Sequence, residues 1–250
     1  MKQINRIKGQ DETLDSFYHG RIRVLQKKKG YRFSVDSPLL ADFIRTEPRD
    51  EILDLGAGNG IISLLLSIKP FQHITAVEIQ QSLADLARRN VSLNKLGGKI
   101  TVINQDLRAF NPLRNFDVIF SNPPYIQEKQ GQLSSQQEKS IAKHELKCNI
   151  FDIMHKTSEL LKRKGRAYFV FPAKRGQDFR EALHSSGLKM KARRLVKPRP
   201  EEAPHWFLAE CGFLSPQEII LPPLVLFNER GGYTPEVKEI FSGRIYAPAT

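Results

Sequence analysis

The sequence predicts an α/β fold, with a mostly parallel seven-stranded sheet, helices on both faces and an antiparallel last strand. Three observations carry this. From Glu51 onward, short apolar runs rich in β-branched residues alternate with segments of helical period. The first run, Ile52-Leu53-Asp54-Leu55, empties into the glycine-rich turn Gly56-Ala57-Gly58-Asn59-Gly60. The run Phe116 to Phe120 stops at Ser121-Asn122-Pro123-Pro124-Tyr125, where two prolines cannot donate to a ladder and force Asn122 out of the helical region.

Taken in order, residues 1–20 are polar without a clear period and read as a basic arm. Ile22 to Gln26 and Tyr31 to Val35 alternate around Lys27-Lys28-Lys29-Gly30, which predicts a β-hairpin with a basic tip. Ser37-Pro38 reads as an N-cap and first helical residue, opening a helix over Leu39 to Ile44. The strand at 52–55 leads into a helix over Ile61 to Ile68, then a strand over Ile74 to Glu78. Ser82 caps a helix that runs through Asn94 and ends at Gly97-Gly98. Strands follow at Ile100 to Ile103 and Phe116 to Phe120. The stretch Ile126 to Asn149 is long and polar, as substrate lids are. A helix over Phe151 to Leu161, stopping at Gly165, precedes a strand over Ala167 to Phe171. A shorter helix near Asp178 to Leu183 leads to strands near Lys189–Val196 and Trp206–Glu210, joined by a loop and so antiparallel.

Composition sets the outer bounds. Apolar residues at 40% and charged residues at 26% are globular values. No apolar stretch has the length of a membrane span and the first residues lack a signal-peptide core, which predicts a cytoplasmic protein. Cys148 and Cys211 are too few for a disulfide framework or a metal cluster, and no metal site is expected. The formal charge of +12 is uneven: +5 over residues 1–36, zero over 37–154, +8 over 155–211 and −1 over 212–250. A neutral centre with basic flanks suits a polyanion lying across it.

The chemistry sits in that centre. Gly56 and Gly58 let the backbone approach a ligand, and Gly60 lets a helix begin tightly packed. The dinucleotide fingerprint requires Gly or Ala three residues after Gly58, where Ile61 stands, so pyrophosphate is disfavoured. Asp54 at the head of the turn favours a cationic ligand group instead. Glu78 ends the next strand, placed to accept from two ribose hydroxyls, and Asp106 and Leu107 follow the third, placed to grip an adenine ring. Each alone could be an ordinary strand end; together they point to a nucleoside site.

Asp54-x-Gly56-x-Gly58-x-Gly60, Glu78, Asp106 and Asn122-Pro123-Pro124-Tyr125 resemble the class I S-adenosylmethionine methyltransferases that act on planar amino groups, over about residues 31 to 211. Within that class the chain is similar to the bacterial tRNA (adenine-N6)-methyltransferases that act beside the anticodon of valine tRNA. The stretches Phe33 to Ala41, Ala142 to Glu145 and Gly232 to Val237 add to the likeness. The resemblance implies a Rossmann-like fold, with an arm and hairpin over 1–36, the methyltransferase domain over 37–213 and an extension over 214–250 packing on it. It implies S-adenosylmethionine as cofactor, held by Phe33, Asp36, Asp54, Gly56, Gly58, Gly60, Glu78, Asp106, Leu107 and Asn122. Asn122, Pro123 and Tyr125 become the catalytic group, and Pro124 and Tyr125 hold the base. RNA, most of all tRNA, is the implied partner, with no obligate protein partner. Its phosphates are expected on Lys27, Lys28, Lys29, Arg193, Arg194, Lys197 and Arg199.

The tetrad has a physical logic. An exocyclic amine conjugated to an aromatic ring is a poor nucleophile because its lone pair is delocalised. The Asn122 side-chain oxygen and the Pro123 carbonyl, accepting its two protons, would localise that pair, while Tyr125 stacks on the base. Two rivals stay open at this point. One is methylation of a glutamine amide in a release factor, whose enzymes share the tetrad but carry a helical domain ahead of it. The other is a non-catalytic nucleic-acid-binding module.

Overall fold

The computed structural model describes residues 8–29, 34–123, 148–214 and 217–243. It opens with β1 (Glu12–Phe17) and β2 (Ile22–Lys27), paired antiparallel. There follow α1 (Asp36–Phe43), β3 (Glu51–Leu55), α2 (Ile61–Leu66), β4 (His73–Glu78), α3 (Gln81–Leu93), β5 (Ile100–Asn104) and β6 (Phe116–Ser121). The rest comprises α4 (Ile150–Leu160), β7 (Leu161–Pro172), α5 (Gly176–Ser185), β8 (Lys189–Lys197), β9 (Trp206–Gly212), β10 (Ile219–Val225) and α6 (Pro235–Ser242).

The main sheet has the order β10-β8-β9-β7-β6-β3-β4-β5. Strands β3 to β7 are parallel, and β9 lies antiparallel between β7 and β8. The seven expected strands and their antiparallel close are therefore present. An eighth, β10, joins the edge parallel to β8. Pro222 and Pro223 are tolerated in β10 because an edge strand need not donate on both sides. One face buries Leu40, Ile62, Leu65, Val91 and Val237 beneath the hairpin, α1 to α3 and α6. The other buries Ile153, Met154, Phe179 and Leu183 from α4 and α5 against Phe169, Phe171 and Phe207. Alternating burial on both faces is what a parallel sheet inside two helical layers demands.

Several local expectations need correction. The hairpin exists, but its partner strand is Glu12–Phe17, in the stretch read as an arm, and its turn is Tyr18 to Arg21. Lys27 ends the second strand and Lys28 and Lys29 follow it, while Gly30 and residues 31–33 of the other expected run lie outside the described residues. Helix α1 begins at Asp36, with Val35 as its N-cap, so Ser37 is inside the first turn. Helix α4 passes directly into β7 at Leu161, which places Lys162 to Lys164 in a strand.

The hairpin is clipped to α3 by two amides. Asn90 Oδ1 accepts from Leu25 N at 2.7 Å and Asn90 Nδ2 donates to Leu25 O at 3.1 Å. One helical turn on, Asn94 makes the same pair of bonds to Arg23, at 2.8 and 2.7 Å. Side chains at i and i+4 share a helix face, and alternate residues of a strand share an edge, so α3 acts as a third strand for β2. Asn90 Nδ2 also donates to Asn59 O at 2.9 Å, so one amide ties the hairpin to the glycine-rich turn. Arg89 grips buried Glu12 through both carboxylate oxygens, and this bond above all holds Glu12 down to about 2. Lys69 caps the other end of α1, donating to the carbonyls of Ala41, Asp42 and Ile44 at 2.6 to 2.8 Å.

Removing the Asn90 amide strands Leu25 N–H and two buried carbonyls. Asn90→Ala is expected to destabilise the protein by at least about 3 kcal/mol, at 1–3 kcal/mol for each of the three buried groups left unpaired. Hydrogen exchange at Leu25 should accelerate ahead of the sheet amides; unchanged protection would show that the clip carries no weight.

Candidate active site

The carboxyl ends of β3, β4 and β6 meet at one point of the sheet, where open parallel sheets bind ligands. After Leu55 the chain turns through Gly56, Gly58 and Gly60 at φ of 77°, 58° and 81°. A side chain in that region is strained, and at Gly60 an added Cβ would also lie 3.3 Å from Ala87 Cβ on α3. The turn is held from both sides. Gly56 N and Ala57 N donate to Val77 O, and Gly58 N donates to Glu78 Oε2 at 2.8 Å. Glu78 Oε1 accepts from Gln80 N at 2.8 Å, fixing the carboxylate across the mouth of the turn.

Two carboxylates are buried here, Asp54 at 2% exposure and Glu78 at 5%. Burial pushes Asp54 up to about 7; a bond from Ser63 Oγ at 2.7 Å opposes this and the charge of Glu78 adds to it. Burial likewise raises Glu78 against the pull of its backbone N–H donors. Asn59, in the middle of the turn, has both side-chain amide atoms buried with no hydrogen-bond partner among the described residues. Buried acids without a cation and an amide without partners leave the turn short of donors and positive charge. A ligand bearing an ammonium and hydroxyl groups supplies both.

Asn122 leaves β6 beside this turn. Ser121 Oγ donates to Leu55 O at 2.7 Å, which locks the end of β6 to the residue before Gly56. Asn122 Nδ2 donates to Ser37 Oγ at 3.3 Å, and its oxygen, the acceptor, is thereby turned the other way. Ser37 is itself held by Asp36, whose Oδ1 accepts from Ser37 N at 2.8 Å and from Ser34 Oγ at 2.5 Å. Asp36 sits in the first turn of α1, where the helix dipole favours a negative charge.

The structure thus brings Asp36, Asp54, the three glycines, Glu78 and Asn122 into one bonded frame, with Pro123 buried beside it. Phe33, Pro124, Tyr125 and almost all of the expected lid lie outside the described residues. Asp106 follows β5 but is held by Arg108, through Nε at 3.1 Å and Nη2 at 2.6 Å, and Leu107 is buried in the core. The expected phosphate contacts are scattered. Lys27 pairs with Asp11 and Glu12, Arg194 with Glu236 and Arg199 with Glu202, while Lys197 donates to Pro200 O. Arg193 lies on a different face from Arg194 and meets Glu218 at 3.0 Å. Sequence reasoning missed Ser37, Ser63 and Asn90 as parts of this frame. Ser37 carries a helix-cap signature in the sequence, and Ser63 and Asn90 are ordinary polar residues in helical segments.

Since Ser63 opposes the burial of Asp54, Ser63→Ala is expected to raise the Asp54 pKa beyond about 7. Titration of the carboxyl carbons by NMR reads this directly, and an unmoved midpoint would dismiss the Ser63 contact.

A model of the methyltransferase small domain matches residues 31–186. The tRNA1(Val) (adenine(37)-N6)-methyltransferase of Vibrio cholerae is 27% identical over 217 residues, spanning 86% of this chain and 89% of that one. The protein of the same name from Bacteroides fragilis is 27% identical over 202 residues, or 80% and 84% of the two chains. Among solved structures, an Agrobacterium tumefaciens protein described as a predicted O-methyltransferase superposes with a TM-score of 0.63. It is 22% identical and covers 86% of this chain and 100% of its own, a likeness of fold.

Proposed function

Because the chain belongs to the methyltransferase small domain family, we propose that it transfers a methyl group from S-adenosylmethionine to the exocyclic N6 amine of an adenine in tRNA, near the anticodon. The observation that carries this reading is Asn122, held at the end of β6 with its amide nitrogen on Ser37 and beside the glycine-rich turn. The names of the Vibrio and Bacteroides relatives support the choice of substrate.

S-adenosylmethionine, when bound, supplies an electrophilic methyl on a sulfonium. Asp54 would balance the cationic end of that ligand, Glu78 would hold its ribose, and Gly56 and Gly58 would let the backbone come close. Asp36, Asp106 and Leu107 complete the proposed cofactor shell, with Phe33. For adenine, the Asn122 oxygen and the Pro123 carbonyl accept the two amine protons and so localise the nitrogen lone pair. Pro124 and Tyr125 are proposed to hold the ring. Ser37 is a positioning residue, since it sets which way the Asn122 amide faces. A base inside a folded anticodon arm must leave its stack to reach this point. Phosphates are proposed to meet Lys27 to Lys29, Arg193, Arg194, Lys197 and Arg199, in competition with the carboxylates that several of these already face. We place the protein in the cytoplasm, with its transferase domain over 37–213 between the basic 1–36 segment and the 214–250 extension; among the described residues no helix is long and apolar enough to cross a membrane.

The test offers labelled S-adenosylmethionine and purified protein two acceptors: tRNA from a strain without the gene, and a release factor. Labelled N6-methyladenosine in the tRNA is the expected product. Label in the release factor instead would move the reaction to a glutamine amide.

Two further outcomes follow from the geometry. A ligand cation beside Asp54 favours the charged carboxylate and lowers its pKa, so binding releases a proton wherever Asp54 starts protonated. With that group near 7, cofactor affinity should rise by about tenfold from pH 6 to pH 8 and then level off. Asp54→Asn should flatten the profile, and a pH-independent wild type would contradict the assignment. Ser37→Ala should lower kcat by roughly tenfold with little change in cofactor Kd, since it removes only an orienting hydrogen bond; equal losses in both would assign Ser37 to cofactor binding.

A further inference from the structure

On the face that carries α5, the sheet runs on through β8 to its edge strand β10. Helix α5 lies over β7 and β9 through Phe179, whose ring meets those of Phe169, Phe171 and Phe207 at centroid distances of 5.1 to 5.6 Å. Strand β8 lies next to β9, with β10 beyond it, and among the described residues α5 flanks β8 on this face. The result is a groove of about 660 Å³ between α5 and β8, within the range of ligand-binding clefts.

We propose that this groove is a second RNA-binding site, in which the sugar–phosphate backbone flanking the target adenine lies along Lys174, Arg180, Lys189 and Arg193; the proposal rests on the tRNA reading above.

Charge is the first support. The groove is lined by those four cations and His184 against one acid, Glu218. The side chains of Lys174, His184 and Lys189 have no hydrogen bond or ion pair among the described residues, and Arg180 has only a long contact to Gln177 at 3.4 Å. Of the four cations only Arg193 is ion-paired among the described residues, with Glu218 at 3.0 Å, whereas Lys27, Arg166, Arg194 and Arg199 are all spent on carboxylates of the protein itself. Chemistry of the floor is the second. Leu183, Leu188 and Leu195 give it an apolar base with cations at the rim, which suits sugars and base edges below a row of phosphates. Position is the third. Strand β7 runs parallel to β6, with Phe169 opposite Ser121, and continues to Pro172 before the chain reaches Lys174. Lys174 therefore lies at the same end of the sheet as Asn122, one strand over, and from there the groove runs along β8, where Arg193 is level with Ser121 and Lys189 lies toward the opposite end. It lies within the segment of net charge +8.

The test uses the full chain and tRNA in a salt series, with Arg180→Glu/Lys189→Glu beside wild type. Both side chains are exposed, and thermal melting checks that the variant folds. A fall of at least tenfold in affinity is expected, with the slope of log affinity against log salt shallower by about 1.5, near 0.7–0.9 for each phosphate no longer neutralised. The same charge change away from the groove, Lys164→Glu/Lys238→Glu, should leave most of the affinity. Equal losses in the two double variants would reduce the effect to net charge and overturn the proposal, as would wild-type affinity and slope in the groove variant. The companion methylation assay separates the two readings. A wild type that labels tRNA while the groove variant binds normally overturns the groove alone; groove-dependent binding without labelled adenine keeps the groove and overturns the reaction.

Discussion

The backbone N–H of Gly58 donating to the buried carboxylate of Glu78 is the contact on which the site depends. It spans two strand ends, and it forms only because three glycines allow the chain to turn at positive φ. Hydrogen bonds to a charged group contribute about 1.5–3 kcal/mol, but a buried carboxylate costs more than an ordinary acceptor to desolvate. The raised pKa of Glu78 records that balance. Its neighbour Asp54, with a single hydroxyl donor and a pKa near 7, is the more exposed to the cost of burial. The site is therefore a place of local destabilisation, held in shape by its surroundings and suited to a ligand that brings positive charge.

Those surroundings are specific. Ser121 ties β6 to β3, Asn90 ties the turn to the hairpin, and Lys69 fixes the carboxyl end of the helix whose amino end carries Asp36 and Ser37. Hairpin and C-terminal helix pack into the same core cluster, where Tyr18, Val24, Val237 and Ile240 are buried together. The segments flanking the sheet in sequence are thus part of the support beneath the site rather than appendages to it. This explains how a side-chain amide on α3 can hold both a glycine turn and a peripheral strand.

Much of this was legible in the residues. Apolar runs located β3 to β7 and β9, because strands buried on both faces admit little but apolar residues; β8, with the sequence KMKARRLVK, is mostly half-buried and carries only a partial apolar pattern. Gly56 to Gly60, Glu78 and Asn122 were legible because backbone conformation and chemistry each restrict what can stand there. Short-range signals failed where a distant partner decides. Glu12 to Phe17 shows weak alternation and becomes a strand because Arg89, 77 residues away, receives Glu12. Ser37-Pro38 carries a helix-start signature, yet the helix starts earlier and the hydroxyl serves Asn122. Lysine clusters were visible, but whether each cation is spent on a local carboxylate depends on tertiary packing, as Lys27 and Arg194 show.

The central claim is that Asn122 acts on the amine and not on the cofactor. The direct test pairs calorimetric titration of S-adenosylmethionine with single-turnover methyl transfer to tRNA, for wild type and Asn122→Ala. The variant should keep a cofactor Kd within about threefold of wild type. Its transfer rate should be lower by roughly 10²–10³, the scale of removing a preorganised hydrogen-bonding group at a reacting centre. A transfer rate equal to wild type, or a loss confined to cofactor affinity, would contradict that role.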